Sequence, residues 1–214
     1  MKPKEVEIKA GDVILKGNLA IPEGAKGIVV FAHGSGSSRF SPRNRFVAEE
    51  LEKAGFATLL MDLLTEEEEE IDERTAELRF NIPLLAERVI HTTEWLKANA
   101  ATKKLQLGYF GASTGAAAAL IAAAKIPEIR AVVSRGGRPD LAMDHLADVK
   151  APTLLIVGGN DEPVIGMNKK ALEKLNKRSR IEIVLGATHL FEEHGKLEKV
   201  AELAIAWFMK NLGK

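Results

Sequence analysis

Tyr109-Phe-Gly-Ala-Ser-Thr-Gly-Ala-Ala-Ala-Ala-Leu120 changes character at Ser113. An apolar run of strand type stops there and an alanine-rich helical run begins, with glycines two positions before and two after the serine. A serine at so tight a strand-to-helix turn takes a strained backbone. The small residues Gly111, Ala112 and Gly115 let strand and helix approach until the hydroxyl stands clear. The helix start then sets amide N–H groups beside that oxygen. The competing reading is a glycine-rich turn with Ser113 as an ordinary helix N-cap. The surrounding chain weighs between the two.

Working outward, residues 27–33 are a continuous apolar run, as expected of a strand buried on both faces, followed by a small-residue loop and a helix over 42–54. The same alternation continues down the chain. Residues 56–62, 105–110, 131–134, 152–157 and 181–185 read as strands, with amphipathic helices near 80–98, 114–125, 163–177 and 196–211. Residues 5–9 and 13–21, joined by Ala10-Gly11-Asp12, read as an antiparallel hairpin. The expected architecture is therefore α/β: a mostly parallel twisted sheet with an N-terminal hairpin and helices on both faces, forming a single domain over 1–214. The run Glu66 to Glu70 with Asp72 and Glu73 is expected to be a solvated, mobile loop without chemistry.

In such sheets the functional residues gather where the strands end. A serine needs a base within hydrogen-bond reach, and that base needs an acceptor to hold its tautomer. Asp161 follows the strand ending at Val157, and His189 follows the strand ending at Leu185, so both leave the same sheet edge as Ser113. Glu162 is adjacent to Asp161 but points elsewhere on an extended loop, while Asp140, Asp144 and Asp148 precede their strand. His189 and His194 invite a metal reading that geometry defeats, because ligands at i and i+5 project about 140° apart on a helix. His91 and His145 read as surface or packing residues. The oxyanion donors expected are the N–H of Thr114 and that of Ser35, with Gly36 second, in the loop His33-Gly-Ser-Gly-Ser37. His33 itself reads as a structural residue bonded to loop backbone.

Composition narrows the chemistry. Lys and Arg total 30, as do Asp and Glu, so the net charge is zero and no global field holds a polyanion. Nucleic acid is not expected as a partner. With no cysteine in the chain, thiolate metal sites, disulfides and a cysteine nucleophile are all excluded. No signal-peptide core or bilayer-length apolar run is present, so the expectation is a cytoplasmic protein without membrane contact. Oligomeric state is not readable.

The motifs His33-Gly-Ser-Gly-Ser37 and Gly111-Ala-Ser-Thr-Gly115, with Asp161 and His189 in the chain order Ser, Asp, His, resemble the α/β-hydrolase superfamily over nearly the whole chain. The small size without a large cap domain resembles its dienelactone hydrolase branch. The stretches Ser38-Arg-Phe-Ser-Pro-Arg-Asn44 and Ser134-Arg-Gly-Gly-Arg-Pro-Asp-Leu141 are similar to dienelactone-hydrolase-like domains found alone or fused to phosphoribosyltransferases. Dienelactone hydrolase itself uses cysteine where this chain has Ser113. The resemblance implies a serine carboxylesterase or related acyl hydrolase of unassigned specificity, with Ser113 as nucleophile, His189 as base, Asp161 as orienter and no cofactor or metal. Its partner would be a small-molecule ester. Without a long insertion after the strand ending at Ser134 there is little chain for a lid, so a shallow site for short acyl groups is expected.

Arg39, Arg43, Arg135 and Arg138 sit on loops near that edge. Either they bind an anionic substituent, with Gly36, Arg39 and Arg135 the candidate substrate contacts, or, as the first expectation, they staple loops to carboxylates such as Asp62 and Asp140. Two other readings stand beside the hydrolase. One is a ligand-binding or interaction module with a vestigial site. The other is a dinucleotide binder using Gly34-Ser-Gly36 and Asp62, which lacks the third glycine and leaves Ser113, Asp161 and His189 without a role.

Overall fold

Strands with no polar face must be covered on both sides, and the central strands here have none. β3 (Ile28–Ala32), β4 (Ala57–Met61), β5 (Leu107–Ala112), β6 (Ala131–Arg135) and β7 (Thr153–Gly158) are buried at every residue. In chain order the computed structural model runs β1 (Lys4–Ala10), β2 (Val13–Ala20), β3, α1 (Pro42–Lys53), β4, α2 (Glu66–Thr75), α3 (Ile82–Ala98), β5, α4 (Thr114–Lys125), β6, β7, α5 (Glu162–Lys174), β8 (Arg180–Val184) and α6 (Lys196–Asn211). Residues 3–212 are described; Met1, Lys2, Gly213 and Lys214, the ends of the expected 1–214 domain, lie outside the described residues.

The eight strands form one sheet in the order β1-β2-β4-β3-β5-β6-β7-β8. β4, β3, β5, β6, β7 and β8 run parallel. The hairpin β1–β2 adds antiparallel to β4, pairing Gly17 with Met61. One core lies under α3, α4 and α5 and includes Leu85, Val89, Leu120 and Ala171. The other lies under α1 and α6 and includes Val47, Leu51, Val200 and Phe208. Each fully buried Leu or Phe contributes about 1.5–3 kcal/mol of hydrophobic stabilisation. The connection from β6 to β7 holds only two short 3-10 turns, Pro139–Ala142 and Leu146–Asp148, and no cap domain.

Two expectations need correction. The strand expected over 105–110 is displaced by two residues to Leu107–Ala112, so Ser113 follows it directly. The acidic run expected to be a mobile loop is α2. A capping box nucleates it: Thr65 Oγ1 accepts from Glu68 N–H at 3.2 Å and the Glu68 carboxylate takes the Thr65 N–H at 2.9 Å. Four glutamates in its first turn face the positive end of the helix dipole, which offsets their mutual repulsion. Asp72 is buried rather than solvated, and its carboxylate accepts from the N–H groups of Leu78 and Arg79 and from Arg79 Nε.

Candidate active site

β3 leads into one crossover toward β4 while β5 lies on its other side, so strand order reverses between β3 and β5. The loops leaving the two strands part there and leave a crevice. Ser113 stands at its lip, at φ 51° and ψ −120°, a region that costs a non-glycine residue roughly 1–3 kcal/mol. What holds it is close packing on both sides. A Cβ on Gly111 would collide with Ala116, and one on Gly115 would fall inside the carbonyl oxygens of Ala32 and His33. Backbone bonds complete the clamp: Ser113 N–H donates to Arg135 O at 3.2 Å, and Ser113 O accepts from Arg138 N–H at 3.1 Å. Ser113 occupies the N-cap of α4 but its side chain makes no capping bond, so the hydroxyl is not spent as in the N-cap reading of the sequence.

Asp161 and His189 come together at the ends of β7 and β8. Asp161 Oδ2 lies 2.7 Å from His189 Nδ1. Asp161 also stands at a helix N-cap, that of α5, without capping it, whereas Glu162 enters the helix and is exposed. The approach depends on Gly158, where a Cβ would intrude on the carbonyl oxygens of Ala187 and Thr188. Backbone bonds from Gly159 N–H to Val184 O and from Asn160 N–H to Ala187 O seal the two loops. The imidazole packs on Gly136, next to the strand residue that holds the Ser113 amide: a Cβ there would meet His189 Cε1 and Nδ1 at 3.4 Å. Ser113 and His189 line one cavity of about 210 Å³, together with Ser35, Ser37, Ser41, Arg43, Asn44, Arg135 and Leu190.

The loop after β3 is tied to the helix after β5. Ser35 N–H donates to Thr114 Oγ1 at 2.9 Å, so this amide is engaged by a side chain. The Thr114 N–H, at the first position of α4, has no intrahelical acceptor. His33 bonds backbone on both sides: Nε2 accepts from Leu63 N–H at 3.1 Å, so the proton sits on Nδ1 and donates to Gly34 O at 2.9 Å. Burial holds its pKa below the ordinary histidine value, outweighing the Gly34 carbonyl and Asp62.

The four arginines separate by partner. Arg39 is turned away from the Ser113 cavity, with its guanidinium on Asp62 and, at 3.2 Å, on Glu5. Arg138 forks onto Asp140 at 2.9 and 2.8 Å. These two staple loops, and neither Arg39 nor Gly36 lines the cavity, against the expectation of substrate contact. Asp62, the carboxylate on which the dinucleotide reading relies, is engaged by the side chain and the N–H of Arg39. Arg43 bonds Glu192 at 2.6 Å. Arg135 has no carboxylate partner among the described residues. Asn44, Ser37 and Ser41 also line the cavity. Their local signals in the sequence are the His33–Ser37 loop for Ser37 and the N-cap pattern of Ser41-Pro42, which places the start of α1 in the crevice.

Among the described residues no group of three or more His, Asp or Glu side chains is placed to hold a metal ion, and no helix is long and apolar enough to cross a membrane.

Four likenesses to known proteins bear on this arrangement. The family model described as the dienelactone hydrolase family matches residues 15–210. A crystal structure described as a dienelactone hydrolase from Anabaena variabilis is 63% identical, with TM-score 0.97, covering 99% of this chain and 100% of that one. A Pyrococcus furiosus esterase shares the fold at TM-score 0.80 and 20% identity, covering 99% of this chain and 92% of its own. A curated Mycobacterium tuberculosis protein, provisionally named a phosphoribosyl transferase, is 56% identical over 213 residues, which is 99% of this chain and 47% of that protein. The chain thus spans about half the length of the curated relatives to which it is 56% identical.

Proposed function

The chain belongs to the dienelactone hydrolase family, and from that footing we propose that it is a serine hydrolase that cleaves carboxylic esters of short acyl chains through an acyl-enzyme. Ser113 Oγ attacks the ester carbonyl while His189 Nε2 takes its proton and later returns it to the leaving alcohol. Water, deprotonated by the same imidazole, then releases the acid. Asp161 holds the proton on Nδ1 and stabilises the imidazolium. The observation that carries this reading is the 2.7 Å Asp161–His189 pair at the cavity of an uncapped, strained Ser113.

The Thr114 N–H is the ready oxyanion donor. Ser35 N–H is the second, shared between the oxyanion and Thr114 Oγ1, with which it is bonded at rest. Leu190 is the one large apolar side chain in a lining otherwise made of small, polar and charged residues, which favours short acyl groups. A vestigial site would leave the strain at Ser113 without a use.

A fluorophosphonate probe is expected to label the wild-type protein and leave Ser113→Ala unlabelled, with hydrolysis of p-nitrophenyl acetate falling about 10³-fold or more. Equal labelling of both proteins defeats the proposal. A steep preference for long-chain over short-chain p-nitrophenyl esters defeats the short-acyl part alone.

A further inference from the structure

One wall of the Ser113 cavity carries positive charge that the protein does not neutralise. Arg135, the last residue of β6, is only 6% exposed. Its Nη2 makes one long bond, 3.5 Å to Asn44 Oδ1, and its buried Nε has no partner. Arg43, on the same wall, gives one nitrogen to Glu192 but its Nε is likewise buried without an acceptor. Arg39 and Arg88 also have an unpaired Nε, yet each has a carboxylate partner, Asp62 and Glu5 for Arg39 and Glu68 for Arg88. Arg135 does not. Burial, and after it the charge of Arg43, pushes the Arg135 guanidinium down to about 10, still protonated at neutral pH. A buried cation without a counter-ion is strongly unfavourable unless something outside the chain completes it.

A second feature converges on the same wall. α1, twelve residues long, begins there with Ser41 as N-cap, Pro42 at its first position and no acidic residue in its first turn. Its positive dipole end therefore meets two guanidiniums, of which Arg43 is paired with Glu192 and Arg135 with no carboxylate. The Arg43 N–H has no intrahelical acceptor, and the hydroxyls of Ser37 and Ser41 line the space. Two guanidiniums and a helix N-terminus suit the double charge and three oxygens of a phosphate monoester better than the single charge of a carboxylate.

We propose that Arg135, Arg43 and the start of α1 form a subsite for a phosphoryl group on the substrate, so that the ester opened at Ser113 belongs to a phosphorylated molecule. The phosphate is held intact and only the acyl–oxygen bond breaks. The reaction rests on the ester-hydrolase reading above, whereas binding at the subsite does not.

The test titrates inorganic phosphate, with acetate as the carboxylate arm, into wild-type protein and Ser113→Ala by calorimetry at low ionic strength. Both proteins are expected to bind phosphate, and acetate at least about 10-fold more weakly. Arg135→Met is expected to weaken phosphate about 10-fold or more and Arg43→Gln by a smaller factor. The second variant, on a partly exposed side chain, keeps the test decisive should the first misfold. Equal phosphate affinity in wild type and both variants, or acetate bound as tightly as phosphate, overturns the subsite.

A kinetic arm compares 2-acetoxyethyl phosphate with 2-hydroxyethyl acetate. Wild type is expected to favour the phosphorylated ester by about 100-fold in kcat/KM, a ratio that collapses in Arg135→Met. A protein inert to both esters that still binds phosphate through Arg135 defeats the hydrolase reading and leaves the subsite. A protein that cleaves both alike and binds no phosphate does the reverse.

Discussion

Ser113 and Asp161 both stand at helix N-caps, and neither side chain caps its helix. Ser41, Thr65 and Asn81, at the N-caps of α1, α2 and α3, all do. Each uncapped position forgoes about 1 kcal/mol of helix stabilisation. At Asp161 the carboxylate is turned to His189 instead, and at Ser113 the hydroxyl remains open to the cavity. The same scale explains Gly158, whose missing Cβ is what admits the backbone of the His189 loop. In Gly158→Ala the new methyl group displaces the Ala187 and Thr188 carbonyls and draws His189 off Asp161. Ester hydrolysis is expected to fall about 10²-fold or more, because ångström-scale misplacement of a base is enough. Retention of full activity in a folded variant would contradict the role given to this loop closure.

α2 shows an element held by its ends. Five consecutive glutamates repel one another along the chain, and from the sequence that repulsion argues for a loop. The Thr65–Glu68 capping box at the start and Asp72 near the end reverse the balance. Asp72 ties α2 to the turn before α3, and hydrogen bonds from the Leu78 and Arg79 N–H groups and Arg79 Nε keep its carboxyl below the usual range despite burial. Asp72→Ala is expected to lower stability by about 1–3 kcal/mol in urea unfolding, since it leaves the part-buried Leu78 and Arg79 N–H groups and Arg79 Nε without their acceptor, while Arg79 Nη2 keeps the Asp72 carbonyl. Asp72→Asn, which keeps an acceptor, is expected to cost less. Activity should suffer with stability in the alanine variant, because Asp72, Arg79 and Glu69 flank the Gly34 to Ser37 loop.

At the scale of the molecule, the ends of β3 and β4 are joined through one buried imidazole, His33, which makes global stability depend on pH. Its folded pKa is lowered from 6.5 by burial, so the unfolded chain binds the proton more readily. The contribution is complete above the unfolded value and is lost as pH falls toward the folded one. The urea midpoint is expected to drop between about pH 7.5 and about pH 5.5, and to drop less in His33→Asn, even if that variant starts lower. An identical drop in both proteins would remove His33 as the cause.

Much of this was legible in the chain. The alternation of apolar runs with amphipathic helices announced a parallel sheet, and the glycines flanking Ser113 announced the turn, because period and backbone freedom are properties of a few adjacent residues. Such local patterns could not tell that Ser35 N–H is engaged by Thr114, that Asp72 is buried, or that Arg39 finds a carboxylate while Arg135 finds none. Those outcomes are set by sheet register and loop closure between residues tens of positions apart, where a shift of one residue turns a side chain to the opposite face.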